Sequence, residues 1–332
     1  MNKNFKIIAE TAFSHEGNFK YLMSQIEEAK KGQVDFIKFQ VLIDEEGLCT
    51  KNHDSFKNIN NWIIEKDKWL KALLFAKKQN LKAIVLPLTL NSLEFLNKHE
   101  NLIYAYEIHS ICLNEIHLLN MLYHTAKKII LGIGGQLPSD IKYALDTLDI
   151  HKNKIILMYG FQSFPTKTSK INLNKIKSFS NMFHCHMGYA DHTKFNDSIF
   201  YNLIEYAYIL KARFFEKHIV LEKGEKRVDY ESAITANEFI EMRKRINRLI
   251  NIIGDGDILN LNIKEINYRN RKKQIVAASN IKKNRIINLK NLAYKLTTEK
   301  SDFEQKEIHK IIGRKCHRSL SKDESIKYKD ID

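Results

Sequence analysis

The sequence predicts an α/β chain: a (β/α)8 TIM barrel followed by a small C-terminal domain. Three observations carry this. Eight short apolar runs alternate with helical patterns over about the first 250 residues, the arithmetic of such a barrel. The runs are near-continuous rather than alternating, as in parallel strands buried on both faces. The βα rhythm then stops, and short elements fill the rest. A doubly wound open sheet is the alternative. It calls for a glycine-rich turn after the first strand, where Thr11-Ala12-Phe13-Ser14-His15 stands.

In chain order, the strand candidates are Lys6–Glu10, Phe36–Gln40, Ala83–Leu88, Ala105–Ser110, Ile129–Gly134, Ile155–Phe161, His184–His192 and Arg213–Val220. Between them, Phe19–Lys31 places Leu22, Met23, Ile26 and Ala29 at helical spacing, and Asp67–Gln79 does the same with Trp69, Leu70, Leu73, Leu74 and Ala76. Pro138-Ser139-Asp140 opens a helix running to Leu148, since proline is tolerated in a first turn. Phe195–Lys211 and Asn237–Ile253 complete the helices. The barrel is expected over 1–255. Residues 256–273, polar and adjoining Gly254 and Gly256, read as a linker, and 274–332 as a compact domain, marginal alone.

Composition narrows the class. The 332 residues are 44% hydrophobic and 28% charged with 3 prolines, which excludes a disordered chain. No apolar run approaches the roughly 18 residues of a membrane span, and Met1 to Phe13 lacks a signal-peptide core. Cys49, Cys112, Cys185 and Cys316 are far apart and form no CxxC, the pattern of reduced thiols in a cytoplasmic protein. The net charge is 54 − 39 = +15. From Arg269 to Asp332 there are 18 Lys/Arg against 8 Asp/Glu, so +10 of it lies in the tail. Nucleic acid is one reading. The lysines form no dense run with interleaved aromatics, and attraction for anionic substrates explains the charge as well.

Barrel active sites lie at the C-terminal ends of the strands. Those ends carry Glu10 with His15-Glu16-Gly17, Lys38-Phe39-Gln40, His109-Ser110, Gly160-Phe161-Gln162, Asp191-His192-Thr193 and Glu216-Lys217-His218. An ammonium, carboxylates and imidazoles gathered this way suit an anionic, metal-assisted reaction. His192 and His218, on adjacent strand ends, are the candidate metal pair, leaving open positions on a divalent ion. Two core histidines are the plain alternative. Lys38 and Gln40 share one strand face. A lysine inside a barrel needs an anion, either a ligand or a structural partner such as Glu10 or Glu16. Glu16 can serve as acid/base or stand as an exposed loop carboxylate.

At these residues the chain resembles the sialic acid synthase family, the phosphoenolpyruvate-dependent nonulosonate synthases. Ile7-Ile8-Ala9-Glu10 with Ser14-His15-Glu16-Gly17 is similar to that family's opening motif, and Phe36-Ile37-Lys38-Phe39-Gln40 to its second strand. Phe164-Pro165-Thr166, Asp191-His192-Thr193 and Glu216-Lys217-His218 resemble its YPT, SDHT and EKHF motifs. Ile275–Lys283, Asn291-Leu292 and Ile312–Lys315 resemble its antifreeze-like (SAF) tail. The resemblance covers essentially the whole chain. It implies a TIM barrel with a SAF domain, a divalent metal (manganese or magnesium) on His192 and His218, and a domain-swapped homodimer. It also implies condensation of phosphoenolpyruvate with an N-acylated amino sugar, releasing phosphate. Glu16 would be the acid/base, Lys38 would bind the donor, and Gln40 and Asp229 the sugar, with Ser110, Gln162 and Phe164 completing the substrate site. Neither nucleic acid nor membrane is an implied partner.

The chain departs from the family pattern at defined points. Glu107 stands where a phosphate-binding lysine is implied, and Leu86, Gly132 and Ala190 where hydroxyl-bearing residues are. Leu296 replaces a tail arginine. The alternatives are therefore a changed donor or sugar, or a non-catalytic paralogue. Glu107 is expected to pair with Lys38 or to turn away from the donor.

Overall fold

The computed structural model describes residues 4–45, 48–123, 125–149, 151–163 and 165–332. They form two compact units, Met1–Gly254 and Asp255–Asp332. In the first, eight parallel strands follow one another around a closed barrel: β1 (Lys6–Glu10), β2 (Phe36–Val41), β3 (Lys82–Pro87), β4 (Ile103–Ile108), β5 (Lys128–Gly132), β6 (Ile155–Tyr159), β7 (His186–Ala190) and β8 (Ala212–Ile219). β1 pairs with β8 through Lys6↔Phe214 to Glu10↔His218 and closes the ring. A two-residue ninth strand, β9 (Ala233–Ile234), adds to β8 beyond it.

Among the described residues nine helices accompany these strands: α1 (Phe19–Lys31), α2 (Phe56–Asn61), α3 (Lys66–Lys78), α4 (Leu90–Asn97), α5 (Ile116–Leu122), α6 (Pro138–Leu148), α7 (Asn174–Phe183), α8 (Ile199–Ile209) and α9 (Ala236–Ile253). Their starts follow from local chemistry. Asn18 accepts a hydrogen bond from Tyr21 N–H at 3.1 Å to open α1, and Thr89 accepts one from Ser92 N–H at 3.1 Å to open α4. At α9 the Glu238 carboxylate accepts from Thr235 N–H at 3.0 Å. Among the described residues no helix is long and apolar enough to cross a membrane.

The pleat builds two cores. Outward side chains such as Ile7, Ile37, Val85 and Leu131 are buried against the helices. Inward ones, Ile8, Phe36, Ile84, Ala105, Ile130, Ile156, Met158 and Ala190, fill the barrel. Two residues further along the same faces, the inward positions turn polar: Ile8 gives way to Glu10, Phe36 to Lys38, Ala105 to Glu107 and Phe214 to Glu216. A hydrophobic plug thus closes one end of the barrel and a polar cleft opens at the other.

Several boundaries differ from the sequence expectation. Strand four begins at Ile103, and Ser110 opens a 3-10 turn instead of ending the strand. His184, expected in strand seven, is the left-handed cap of α7 at φ 56°. The stretch 256–273, read as linker, holds α10 (Ile263–Arg269), capped by Asn262 with Glu265 reaching back. The second unit also contains an antiparallel pair, β10 (Gln274–Ala277) and β11 (Leu292–Lys295). Its own core includes Ile275, Ile281, Ile287, Phe303, Ile311, Leu320 and Ile326. Ile258, Leu259, Ile263 and Tyr268 lie exposed near its start.

Candidate active site

The polar end of the barrel forms a cleft of about 160 Å³ lined by Glu10, Lys38, Gln40, Glu107, His109, Ser110, Gly132, Met158, Gln162, Ala190, His192, Glu216, His218 and Asp229. Seven residues proposed from sequence meet here: Lys38, Gln40, Ser110, Gln162, His192, His218 and Asp229. Glu16 is not among the lining residues, and Phe164 lies outside the described residues.

Lys38 sets the electrostatics. Its ammonium, almost fully buried, contacts both Glu107 oxygens at 3.0 Å, Glu216 Oε1 at 2.8 Å and Glu10 Oε1 at 3.2 Å. An ammonium has three N–H donors, and three carboxylates from β1, β4 and β8 surround this one. Burial opposes the charge on Lys38, but Glu10, Glu107 and Glu216 together hold its pKa above the ordinary lysine value. With all groups ionised the cluster would carry 1 − 3 = −2, so the carboxyls separate in acidity. Burial pushes Glu107 up to about 7, with Glu10 repulsion adding and Lys38 opposing. Burial also raises Glu216 well above its ordinary value. Glu10 goes the other way: burial is outweighed by Lys38, His218 and Gln40, which keep it well below the carboxylate range.

Glu10 links this cluster to the imidazoles. Its Oε1 accepts from Gln40 Nε2 at 2.8 Å, and its Oε2 lies 3.3 Å from His218 Nε2. The His192 and His218 rings are 5.3 Å apart between centroids. Burial, with His218 adding, lowers His192 to about 3, so it is neutral. Burial works against charge on His218 as well, but the bond to Glu10 raises it. The Phe161 carbonyl, 3.1 Å from His192 Nδ1, accepts its proton and leaves Nε2 as the lone-pair atom. An imidazole oriented by a carbonyl on its far nitrogen is the usual arrangement of a metal-ligating histidine. The pair therefore fits a divalent ion. Among the described residues no three His, Cys, Asp or Glu side chains gather into a metal-binding group.

Loop geometry decides the remaining candidates. Asp229 reaches the cleft from a left-handed position, φ 64°, and burial raises its carboxyl. Glu16 is also left-handed, at φ 48°. It accepts from Val228 N–H at 3.0 Å and pairs with Arg227 at 3.4 Å, so it grips the loop that carries Asp229. The following Gly17 is required: at φ 76° a Cβ would meet the Asn61 carbonyl at 2.2 Å. Two of the sequence departures have steric accounts. A Cβ on Gly132 would lie 2.9 Å from Ser110 N, so a side chain there must displace the strand-four turn. Leu86 packs with Leu42 and Leu88 and does not line the cleft.

Glu10, Glu216 and His109 stand among the polar strand ends of the sequence, with Glu10 a candidate partner for Lys38 that the structure contains, but no substrate or catalytic role followed from them, and Glu107 stood out only as a departure. Strand parity was the available signal. Glu216 precedes His218 by two and Glu107 precedes His109 by two, so each pair shares an inward face. The matching expectation, that Glu107 pairs with Lys38, is what the structure contains.

A model of the NeuB family matches residues 25–258. An uncharacterised protein of Methanocaldococcus jannaschii is 28% identical over 98% of this chain and 94% of its own length. The N,N'-diacetyllegionaminic acid synthase of Campylobacter jejuni is 25% identical over 98% of this chain and 99% of its own. Among solved structures, a spore coat polysaccharide biosynthesis protein E from Chromobacterium violaceum superposes with a TM-score of 0.83 at 18% identity, covering 99% of this chain and 100% of that one.

The raised pKa of Glu107 has a consequence for stability. A carboxyl whose pKa is higher folded than unfolded holds its proton more tightly in the native state, so stability falls as pH rises from about 4.5 to about 7. In urea unfolding across that range, Glu107→Gln should lose less stability than the wild type, by up to about 3 kcal/mol. Parallel pH profiles for the two proteins would contradict this assignment.

Proposed function

The chain belongs to the NeuB family, and from that premise we propose an N-acetylneuraminate synthase-like transferase that condenses phosphoenolpyruvate with an N-acylated amino sugar aldehyde. The single observation that carries the reading is the cleft itself. A neutral imidazole beside a carboxylate-bound one, a buried lysine and a loop aspartate converge at the strand ends of a barrel whose relatives include a nonulosonate synthase. In the reaction the enol carbon of the donor attacks the aldehyde carbon, forming the C–C bond. Water adds to the cation left at the donor's second carbon, and the C–O bond to phosphate then breaks, giving a 2-keto acid and inorganic phosphate.

A divalent ion, manganese or magnesium, held by His192 and His218 would supply Lewis-acid polarisation of the aldehyde oxygen. The chain's own groups do the positioning. Lys38 stands on the barrel floor and would meet the donor's negative charge only where Glu107 yields its place at the ammonium. Ser110 and Gln162 line the same cleft and can bind donor or sugar oxygens. Gln40 is oriented by Glu10, and Asp229, raised by burial, can bind sugar hydroxyls. Glu16 fits a positioning role better than the acid/base role the resemblance implied, because it holds the Asp229 loop from outside the cleft. Residues 274–332 would form the SAF domain. The exposed Ile258, Leu259, Ile263 and Tyr268 support self-association into a domain-swapped homodimer.

Saturation of Lys38 favours a second reading, in which the enol donor differs from phosphoenolpyruvate. A charge-assisted hydrogen bond is worth about 1.5–3 kcal/mol, and Glu107 takes the one a donor anion would otherwise receive.

Phosphate release from phosphoenolpyruvate with manganese and a panel of N-acylated hexosamines tests both readings. The expected result is slow release by the wild type and a donor KM at least tenfold lower in Glu107→Gln and Glu107→Lys. No release by any variant with any sugar would remove the synthase reading. Wild-type turnover of about 1 s⁻¹ or faster, within the ordinary enzyme range, would show that Glu107 does not impede the donor.

Assembly is tested by sedimentation velocity. A dimer is expected, shifting toward monomer in Ile258→Ser/Leu259→Ser. A monomeric wild type at micromolar concentration would contradict it.

A further inference from the structure

The metal-pair reading leaves unexplained a fully buried ion pair behind the two imidazoles, between the barrel wall and α8. We infer that Asp191 and Lys217 are positioning residues that fix His192 against His218. Their side chains sit on the outer faces of their strands, one residue before His192 and one before His218, and both are completely inaccessible to solvent.

The regular β7–β8 ladder ends at Ala190↔Glu216, and the last backbone bond runs from Asp191 N–H to the Glu216 carbonyl at 3.0 Å. His192 lies just past that point, where the chain has left the sheet. Side chains replace the missing ladder. Lys217 Nζ donates to the Asp191 carboxylate and to the Thr193 carbonyl at 2.8 Å. Asp191 Oδ1 accepts from Thr193 N–H at 3.1 Å and Thr193 Oγ1 at 2.6 Å, and Oδ2 accepts from Tyr189 O–H at 2.9 Å. One ammonium on the residue preceding His218 therefore pins both neighbours of His192. The Phe200 ring of α8 lies 5.0 Å from that ammonium.

Stability alone is a weak reason for such a pair. Replacing a buried ion pair by neutral groups of similar volume is often harmless to folding or even stabilising. A positional role predicts a different balance: little change in stability and a marked loss in metal affinity, since groups that orient ligands typically control tenfold to hundredfold in binding.

The test is Asp191→Asn/Lys217→Met, which keeps side-chain shape and the two hydrogen bonds from Thr193 to residue 191 while removing both charges and the two bonds from Lys217 to Thr193. Manganese binding is measured by calorimetry on the full chain, alongside the thermal unfolding midpoint. The expected result is a midpoint within a few degrees of wild type and a dissociation constant raised at least tenfold. Unchanged affinity in the folded double variant would overturn the inference. Should that variant not fold, Thr193→Val removes the hydroxyl's two bonds, to Asp191 and from Lys217, without touching charge. Affinity weakened threefold or more then supports the inference, and wild-type affinity overturns it. A wild type that binds no manganese would instead bring down the metal-pair reading on which this inference rests.

Discussion

The Lys38 ammonium, enclosed by Glu10, Glu107 and Glu216, is the constraint on which the rest of the cleft depends. An unpaired ammonium at this depth would cost many kcal/mol, so the barrel must bring carboxylates to it from strands on different walls. That requirement fixes which inward positions of β1, β4 and β8 are acidic. Below the cluster the barrel is filled by Ile8, Phe36, Ile84 and Ile130, which exclude water and make the pairing compulsory. Above it, the cleft offers more acceptors than donors, because the N–H groups of its one lysine face its own carboxylates.

Glu10 carries the consequences of that cluster to the reactive end. One oxygen serves Lys38 and Gln40, and the other faces His218. The carboxylate thus stays ionised, favours a proton on His218 and leaves His192 neutral beside it. His192 and His218 would hold a divalent ion beside Glu10, where it would supply positive charge facing that carboxylate.

The fold was legible because parallel strands buried on both faces leave continuous apolar runs, and each of the eight expected runs overlaps an observed strand. Helices α1 and α3 showed their 3.6-residue period, α6 its opening proline, and α8 and α9 fall within or beside the stretches expected for them. α2 showed no such signal, since none of its residues is buried, and α4 and α5 are only two turns long. α7 carried a readable signal in Ile176, Phe179 and Phe183 that was overlooked. In the site, motif and parity located Lys38, Gln40, His192 and His218. The three counter-ions of Lys38 come from strands far apart in sequence, and only barrel closure brings them together. Glu16 illustrates the other limit: its left-handed backbone turns the carboxylate toward Val228, and nothing in the local sequence specifies that direction.

The most direct test of this account is anomalous scattering from crystals grown with manganese. The account places one strong anomalous peak within about 2.3 Å of imidazole nitrogens of both His192 and His218, with Lys38 still enclosed by its carboxylates. A peak held by the Glu107 and Glu216 carboxylates instead, with Lys38 expelled from the cluster, would contradict it.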